Sequence, residues 1–161
     1  MKKLLTFILL TAMLVSCMDR PAQKVHPGDP LPDMDVTLSD GTAVTRDSLI
    51  QGESLIAIFN LQEPDCGDYL SAIHDVVNKC RGLSVCLVNI AEPESVIQEY
   101  WRMHNFTLPY ATPENLRVFG INPGASRQLF LLCRWGIIFN VWDSRHRLTE
   151  NELLENIQSN L

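Results

Sequence analysis

Cys66 is the residue of this chain best placed for covalent chemistry, and it closes the run Glu63-Pro64-Asp65-Cys66. A thiol exchanges with disulfides through its thiolate. A second cysteine three residues earlier at the same helix start lets one sulfur attack while the other resolves the intermediate. Position 63 carries a carboxylate instead. An internal disulfide needs sulfur at both positions, so the chemistry open here is that of one thiol. Glu63, Asp65 and Asp68 lie within a turn of Cys66 and oppose the roughly half positive charge of a helix N-terminus. The expected result is a protonated thiol near neutral pH and a sluggish nucleophile.

The flanking pattern supplies the elements that must hold this cysteine. Ser54 to Asn60 and Leu83 to Ile90 are mostly apolar runs, as in strands covered on both faces. Between them Tyr69, Leu70, Ile73, Val76, Val77 and Cys80 recur at helical spacing, and Pro64 suits the first turn of that helix. A second helix is expected from Pro93 to about His104, with Val96, Ile97, Tyr100 and Trp101 facing inward, and a short third from Thr112-Pro113-Glu114 to Gly120. Leu129 to Leu132 and Ile137 to Trp142 form a strand pair around Arg134-Trp135-Gly136. Thr149 and Glu152 make a capping box for a last helix whose apolar face is Leu153, Leu154 and Ile157. Ahead of all this, Val36 to Leu38, Asp40-Gly41 and a second short strand read as an N-terminal β-hairpin. The class is α/β, a central mixed sheet flanked by helices.

Other chemistry-bearing residues offer less. His26, His74, His104 and His146 are scattered, and none makes a metal spacing with a thiol or carboxylate. No metal or cofactor is expected. Fourteen residues of helix separate Cys66 from Cys80, about 21 Å and beyond disulfide reach. Cys80, Cys86 and Cys133 either form a disulfide among themselves or are packed core thiols. Trp101 and Trp142 suit the core, and Trp135 in its turn is a candidate exposed contact. Arg145, His146 and Arg147 read as a solvated turn.

The first sixteen residues hold Lys2, Lys3, an apolar run from Leu4 to Val15 and no acid, the layout of a secretory signal and too short to span a bilayer. The run ends in Leu14-Val15-Ser16-Cys17, which resembles the bacterial lipobox, in which the chain is cut before the cysteine and the cysteine acylated. That implies a signal peptide at 1–16, a lipidated tether at 17–26 and one domain at 27–161. Acyl chains on Cys17 would hold the globule at a membrane, each buried methylene contributing about 0.8 kcal/mol. Met18 instead of aspartate after Cys17 implies by the same resemblance an outer-membrane or periplasm-facing place in the cell envelope. The formal charge of −6 becomes −8 once the two lysines of the leader are gone. So acidic a globule excludes nucleic acid as a partner.

The order of these elements, with Pro27-Gly28-Asp29-Pro30-Leu31-Pro32-Asp33, Asp40-Gly41, Ile58-Phe59-Asn60, Pro64-Asp65-Cys66 and Leu129-Phe130-Leu131-Leu132 before Gly136, resembles the TlpA-type branch of thioredoxin-fold proteins, neighbours of the peroxiredoxins. The resemblance spans roughly residues 25 to 161 and implies a thioredoxin-like fold. In that family the first thiolate of a Cys-x-x-Cys attacks and the second resolves. Here the first position is Glu63, and only the resolving one, Cys66, is kept. The family's cis-proline before the hairpin strand falls at Arg127, and Pro123 lies four residues too early to replace it. The peroxiredoxin register instead matches the peroxidatic cysteine to Cys66 and a thiolate-stabilising arginine to Arg127. Glu63 then stands for that family's threonine, and Phe59 for its proline.

Two altered redox positions imply a lipid-anchored envelope protein related to thiol-disulfide oxidoreductases, with dithiol exchange lost or weakened, acting as a binding or accessory module. The alternative is a single-cysteine thiol enzyme, peroxidase-like or a monothiol exchanger, using Cys66 with Glu63 and Arg127. Its partners would be the membrane, through the lipid, and an envelope protein or thiol reductant. If Cys17 is acylated, Cys17→Ser blocks maturation and leaves an uncleaved precursor; mass spectrometry finding an unmodified mature N-terminus at another residue would remove the claim.

Overall fold

The computed structural model describes residues 22–124, 128–143, 145 and 148–158. Cys17, Arg127, His146 and Arg147, which carried expectations above, lie outside the described residues. Strand β1 (Met34–Thr37) and β2 (Ala43–Thr45) make the expected hairpin. A single helical turn, α1 (Arg46–Leu49), follows β2, with Thr45 as its cap. The strand-helix-strand unit is β3 (Glu53–Phe59), α2 (Cys66–Lys79) and β4 (Ser84–Asn89). After it come α3 (Glu94–His104), β5 (Tyr110–Ala111), β6 (Leu116–Phe119), β7 (Leu129–Arg134), β8 (Ile137–Asp143) and α4 (Glu150–Gln158).

The main sheet has the order β5-β4-β3-β7-β8. β3 is parallel to β4 and antiparallel to β7, so the sheet is mixed. Alternate residues of β3 go to opposite cores. Leu55, Ala57 and Phe59 pack with Leu70, Ile73 and Val76 of α2, Ile97 and Trp101 of α3, and Leu153 and Ile157 of α4. Ile56 and Ile58 pack on the other face with Val36, Val44, Leu49 and Ile121. The small sheet β2-β1-β6 forms that second cover. Each fully buried large apolar side chain contributes about 1.5–3 kcal/mol, and β3 supplies four, Leu55, Ile56, Ile58 and Phe59, with no accessible surface.

Three expectations change. The helix expected from Thr112 to Gly120 is one 3-10 turn, Pro113–Asn115, followed by strand β6. β6 pairs with β1 through Val36 and Leu116, Asp35 and Val118, and Met34 and Phe119, so the open edge of the hairpin captured a segment whose start signal extends only one turn. Gly120 then serves close packing instead of a helix end, since a Cβ there would lie 3.0 Å from the Asp33 carbonyl. Val96 of α3 is 46% exposed, because the face turned inward is that of Ile97 and Trp101, with Tyr100 packed partly buried beside them. Part of the stretch expected to be tether is also folded. Gln23 N–H donates to the Gly120 carbonyl at 3.0 Å, and Val25 is buried.

His74 ties α2 to the segment before β5. Its Nδ1 bonds the Leu70 carbonyl at 2.8 Å and its Nε2 accepts the Leu108 N–H at 3.2 Å, while the ring stacks on Phe106 with centroids 4.3 Å apart. Only the neutral ring with its proton on Nδ1 makes both bonds. Burial holds its pKa below the ordinary 6.5. The unfolded chain therefore binds a proton more readily, and the stability contributed by His74 is complete above about pH 6.5 and is lost as pH falls below it. Thermal melts from about pH 5 to 8 should fall less steeply on acidification for His74→Gln than for the native protein; parallel curves would show that His74 does not carry this dependence.

Candidate functional site

The end of β3 turns sharply into α2. Asn60 Oδ1 accepts the Gln62 N–H at 3.0 Å, the Asn60 carbonyl accepts the Glu63 N–H at 3.1 Å, and the Glu63 carbonyl accepts the Cys66 N–H at 3.3 Å. Pro64 sits in this turn, ahead of the helix instead of in its first turn. Asp65 is the N-cap, in the left-handed region at φ 63, and its carbonyl accepts the Tyr69 N–H at 3.1 Å. An aspartate tolerates that conformation better than most side chains. Cys66 is the first helical residue and is only 3% exposed.

Two effects compete at the sulfur. A helix N-terminus favours the thiolate, and so does the hydrogen bond from the Asn60 backbone, which must be the N–H because only a donor stabilises the charged form. Burial opposes them as the largest influence, with the Glu92 carboxylate second and Glu63 behind it, and the thiol is pushed up to about 12. Burial wins. Of the three acids expected to raise Cys66, Glu63 does so; Asp68 bears on Tyr100 instead.

Glu92 was not legible as a site residue. It lies between β4 and α3, is 5% exposed, and its Oε2 accepts Asn89 Nδ2 at 2.5 Å. Asn89 Oδ1 in turn accepts the Ala91 and Glu92 N–H groups at 3.0 and 2.8 Å, an Asx turn that brings the carboxylate back over the end of β4. The same Asn89 Nδ2 approaches the Phe59 carbonyl at 3.4 Å. The peptide from Phe59 to Asn60 thus has Asn89 on its carbonyl and Cys66 on its N–H. Glu92 Oε1 is buried with no hydrogen-bond partner. The sequence signal was a buried strand ending in Asn89 with an acid three residues on, too common a pattern to single out.

Tyr100, read as a core residue, borders the site from α3. A Cβ on Gly67 would lie 2.6 Å from the Tyr100 hydroxyl, so the glycine beside Cys66 makes room for the phenol. Burial raises the Tyr100 pKa, and the charges of Cys66 and Asp68 raise it further. Its ring stacks on His104 at 4.2 Å.

The structure brings together Cys66 and Glu63; Arg127 and Cys17 lie outside the described residues. The other described cysteines are free thiols. Cys80 caps the far end of α2. Cys133 stands opposite Ser54 and Cys86 opposite Ile56, on β7 and β4 with β3 between them. At about 4.8 Å per strand that separates them by more than 9 Å, beyond disulfide reach. Among the described residues no group of three metal-ligating side chains assembles, and no helix is long and apolar enough to cross a membrane. Trp135 is 70% exposed, an outward residue of the β7–β8 turn.

No family model matches the chain, and no curated protein matches it. Solved structures do. The thiol:disulfide interchange protein of the thioredoxin family from Chlorobium tepidum TLS has a TM-score of 0.66 at 18% identity, over 85% of this chain and 98% of that one. A yeast mitochondrial 1-Cys peroxiredoxin gives 0.61 at 14% identity, over 83% and 75%. The thiol peroxidase from Chromobacterium violaceum gives 0.59 at 11%, over 87% and 90%. At such identities the likeness establishes the fold, which is thioredoxin-like.

A thiol pushed up to about 12 carries a thiolate fraction at neutral pH some hundredfold or more below that of an exposed cysteine. At pH 7 iodoacetamide should therefore modify Cys66 in the folded protein at least about a hundredfold more slowly than in the denatured chain. Equal rates would mean that burial does not govern this sulfur.

Proposed function

We propose that this chain is a lipid-anchored cell-envelope protein that has kept the thioredoxin frame and lost, or much weakened, dithiol exchange, and that it acts as a binding or accessory module. One observation carries it: Glu63 occupies the position of a partner sulfur, while Cys66 is buried and no other described cysteine can reach it. A dithiol cycle needs the second sulfur to release the mixed disulfide. The acyl anchor at Cys17 and an outer-membrane or periplasm-facing location belong to this proposal. They are supported by the leader and lipobox pattern of residues 1–17.

The single-cysteine alternative, a peroxidase-like or monothiol-exchange enzyme using Cys66, is favoured by a different observation. A buried carboxylate oxygen without a hydrogen-bond partner belongs to Glu92, whose charge, after burial, helps raise the Cys66 thiol. Such a group costs stability unless something offsets it.

Glu63→Cys gives the run Cys-Pro-Asp-Cys at residues 63–66 and removes one opposing charge. An eroded oxidoreductase should gain a reducible internal disulfide and measurable insulin reduction with this variant, where the native protein shows almost none. Robust insulin reduction by the native protein would refute the loss of dithiol exchange.

A further inference from the structure

We propose that the tip of the β7–β8 hairpin, Trp135 with Ile137 and Phe139, is a foot that seats this domain in the headgroup region of a lipid bilayer. This rests on the acyl anchor proposed at Cys17 and names the surface on which the anchored domain sits. Trp135 is 70% exposed, Ile137 46% and Phe139 42%. Ile137 stands across from Arg134, and Arg134 also lies over the Phe139 ring at 5.5 Å, so the two apolar side chains share one face of the hairpin.

The tip is built at a conformational cost that packing inside the domain does not offset. Trp135 and Gly136 are the two central residues of the turn, at φ 50 and 77. A two-residue turn with both positions left-handed favours Asn and Gly. Gly136 fits, since a Cβ there would lie 2.8 Å from Ile50 Cγ2. A bulky residue at positive φ is unfavourable, and the Trp135 side chain recovers little by burial. The turn is nevertheless held firmly. Trp135 N–H donates to the Gly52 carbonyl at 2.9 Å, and the Gly136 carbonyl accepts the Leu31 N–H at 2.8 Å. A fixed turn that presents an indole to water suits a bilayer interface, where the ring is buried and its N–H stays near water.

Charge and chain length select the bilayer as the occupant. The turns and strand ends around the tip hold Arg46, Lys79, Arg81 and Arg134 against as many carboxylates, Asp29, Asp47, Glu53 and Glu150. That end is balanced. The turns after β3 and β4, with the first residues of α2 and α3, hold Glu63, Asp65, Asp68, Glu92 and Glu94 and no cation among their described residues. Anionic headgroups repel that end and admit the neutral apolar one. Six residues separate Cys17 from Gln23, whose N–H and carbonyl are bonded to Gly120 and Asn122; fully extended they reach about 20 Å. A domain of this length is about 35 Å across, so an anchor at Cys17 keeps one face of it against the bilayer. Because β3 runs from beside the tip to the turn before Cys66, a foot at the tip leaves the Cys66 turn on the side away from the membrane.

The test uses the acylated full chain in vesicles of phosphatidylcholine and phosphatidylglycerol, with brominated phosphatidylcholine as a quencher of tryptophan emission and acrylamide as the quencher in water. The native protein should be quenched by the brominated lipid. Trp135→Asn, which suits the turn, should fold by circular dichroism, float with the vesicles through its acyl chains and lose that quenching, leaving the emission of the buried Trp101 and Trp142. If it does not fold, Trp135→Phe removes the same fluorophore and should show the same loss. Ile137→Ser combined with Phe139→Ser keeps Trp135 and should reduce its quenching; an unchanged value overturns the foot. So does bromine quenching that persists without Trp135. Flotation separates the two readings: a native protein that does not float overturns the anchor and the foot with it, whereas one that floats with Trp135 unquenched by bromine and open to acrylamide overturns the foot alone. Shielding from acrylamide that grows with the protein-to-lipid ratio, without bromine quenching, would make a second copy the occupant and overturns the proposal.

Discussion

Burial of β3 on both faces is the constraint on which the rest of this molecule depends. From Leu55 to Phe59 no side chain has accessible surface, so the strand requires helices on one side and a second cover on the other. Its backbone groups are satisfied by β4 in parallel and β7 in antiparallel register, because an unpaired peptide in such a place is costly. Those pairings place the Phe59–Asn60 peptide, and that peptide meets both the Cys66 thiol and Asn89. The position of the site is a consequence of how the central strand is held.

The same closure sets the chemistry. Cys66 begins a helix, where the backbone dipole would assist ionisation, but it also belongs to the apolar core with Tyr69, Leu70 and Phe130. Desolvation outweighs the dipole, which provides at most about 2 kcal/mol even in favourable geometry. Adding the Glu92 carboxylate to the same space moves the thiol further from ionisation. The thioredoxin-like frame here encloses a buried thiol whose pKa is pushed up to about 12.

The opposite end of the sheet is tied together differently. Arg134 pairs with Glu53 across β7 and β3 and lies over the Phe139 ring, 5.5 Å from its centroid, while Lys79 at the end of α2 pairs with Glu150 at the start of α4. The Lys79 pair is largely exposed and contributes little. Its geometric role is clearer: it closes α2 against α4 where the helix ends, and the apolar faces of both, Val76 and Leu153 among them, do the packing. The last helix also receives Trp142 Nε1, which donates to Glu152 Oε1 at 2.8 Å while the Thr149 hydroxyl accepts the Glu152 N–H at 3.2 Å. The capping residue read from sequence thus has a second partner on the sheet.

Periodicity alone determined the strand-helix-strand unit, the terminal hairpin and the last helix, since apolar residues spaced by two or by 3.6 must find a core. The chain also declared a carboxylate, Glu63, and no second sulfur three positions before Cys66, a fact of covalent chemistry that folding cannot change. Tertiary structure decided what local signals left unspecified. Leu116 to Phe119 became a strand because β1 offered an edge, and Val96 turned outward because Ile97 and Trp101 already filled the inner face of α3. It also decided which distant charge bears on Cys66. Glu92 is twenty-six positions away in sequence, and only the parallel pairing of β3 with β4, which sets Phe59 opposite Asn89, brings its carboxylate near enough to act on the thiol. Periodicity reports which residues are buried; which two buried groups share one desolvated space depends on strand register, and that is a property of the assembled sheet.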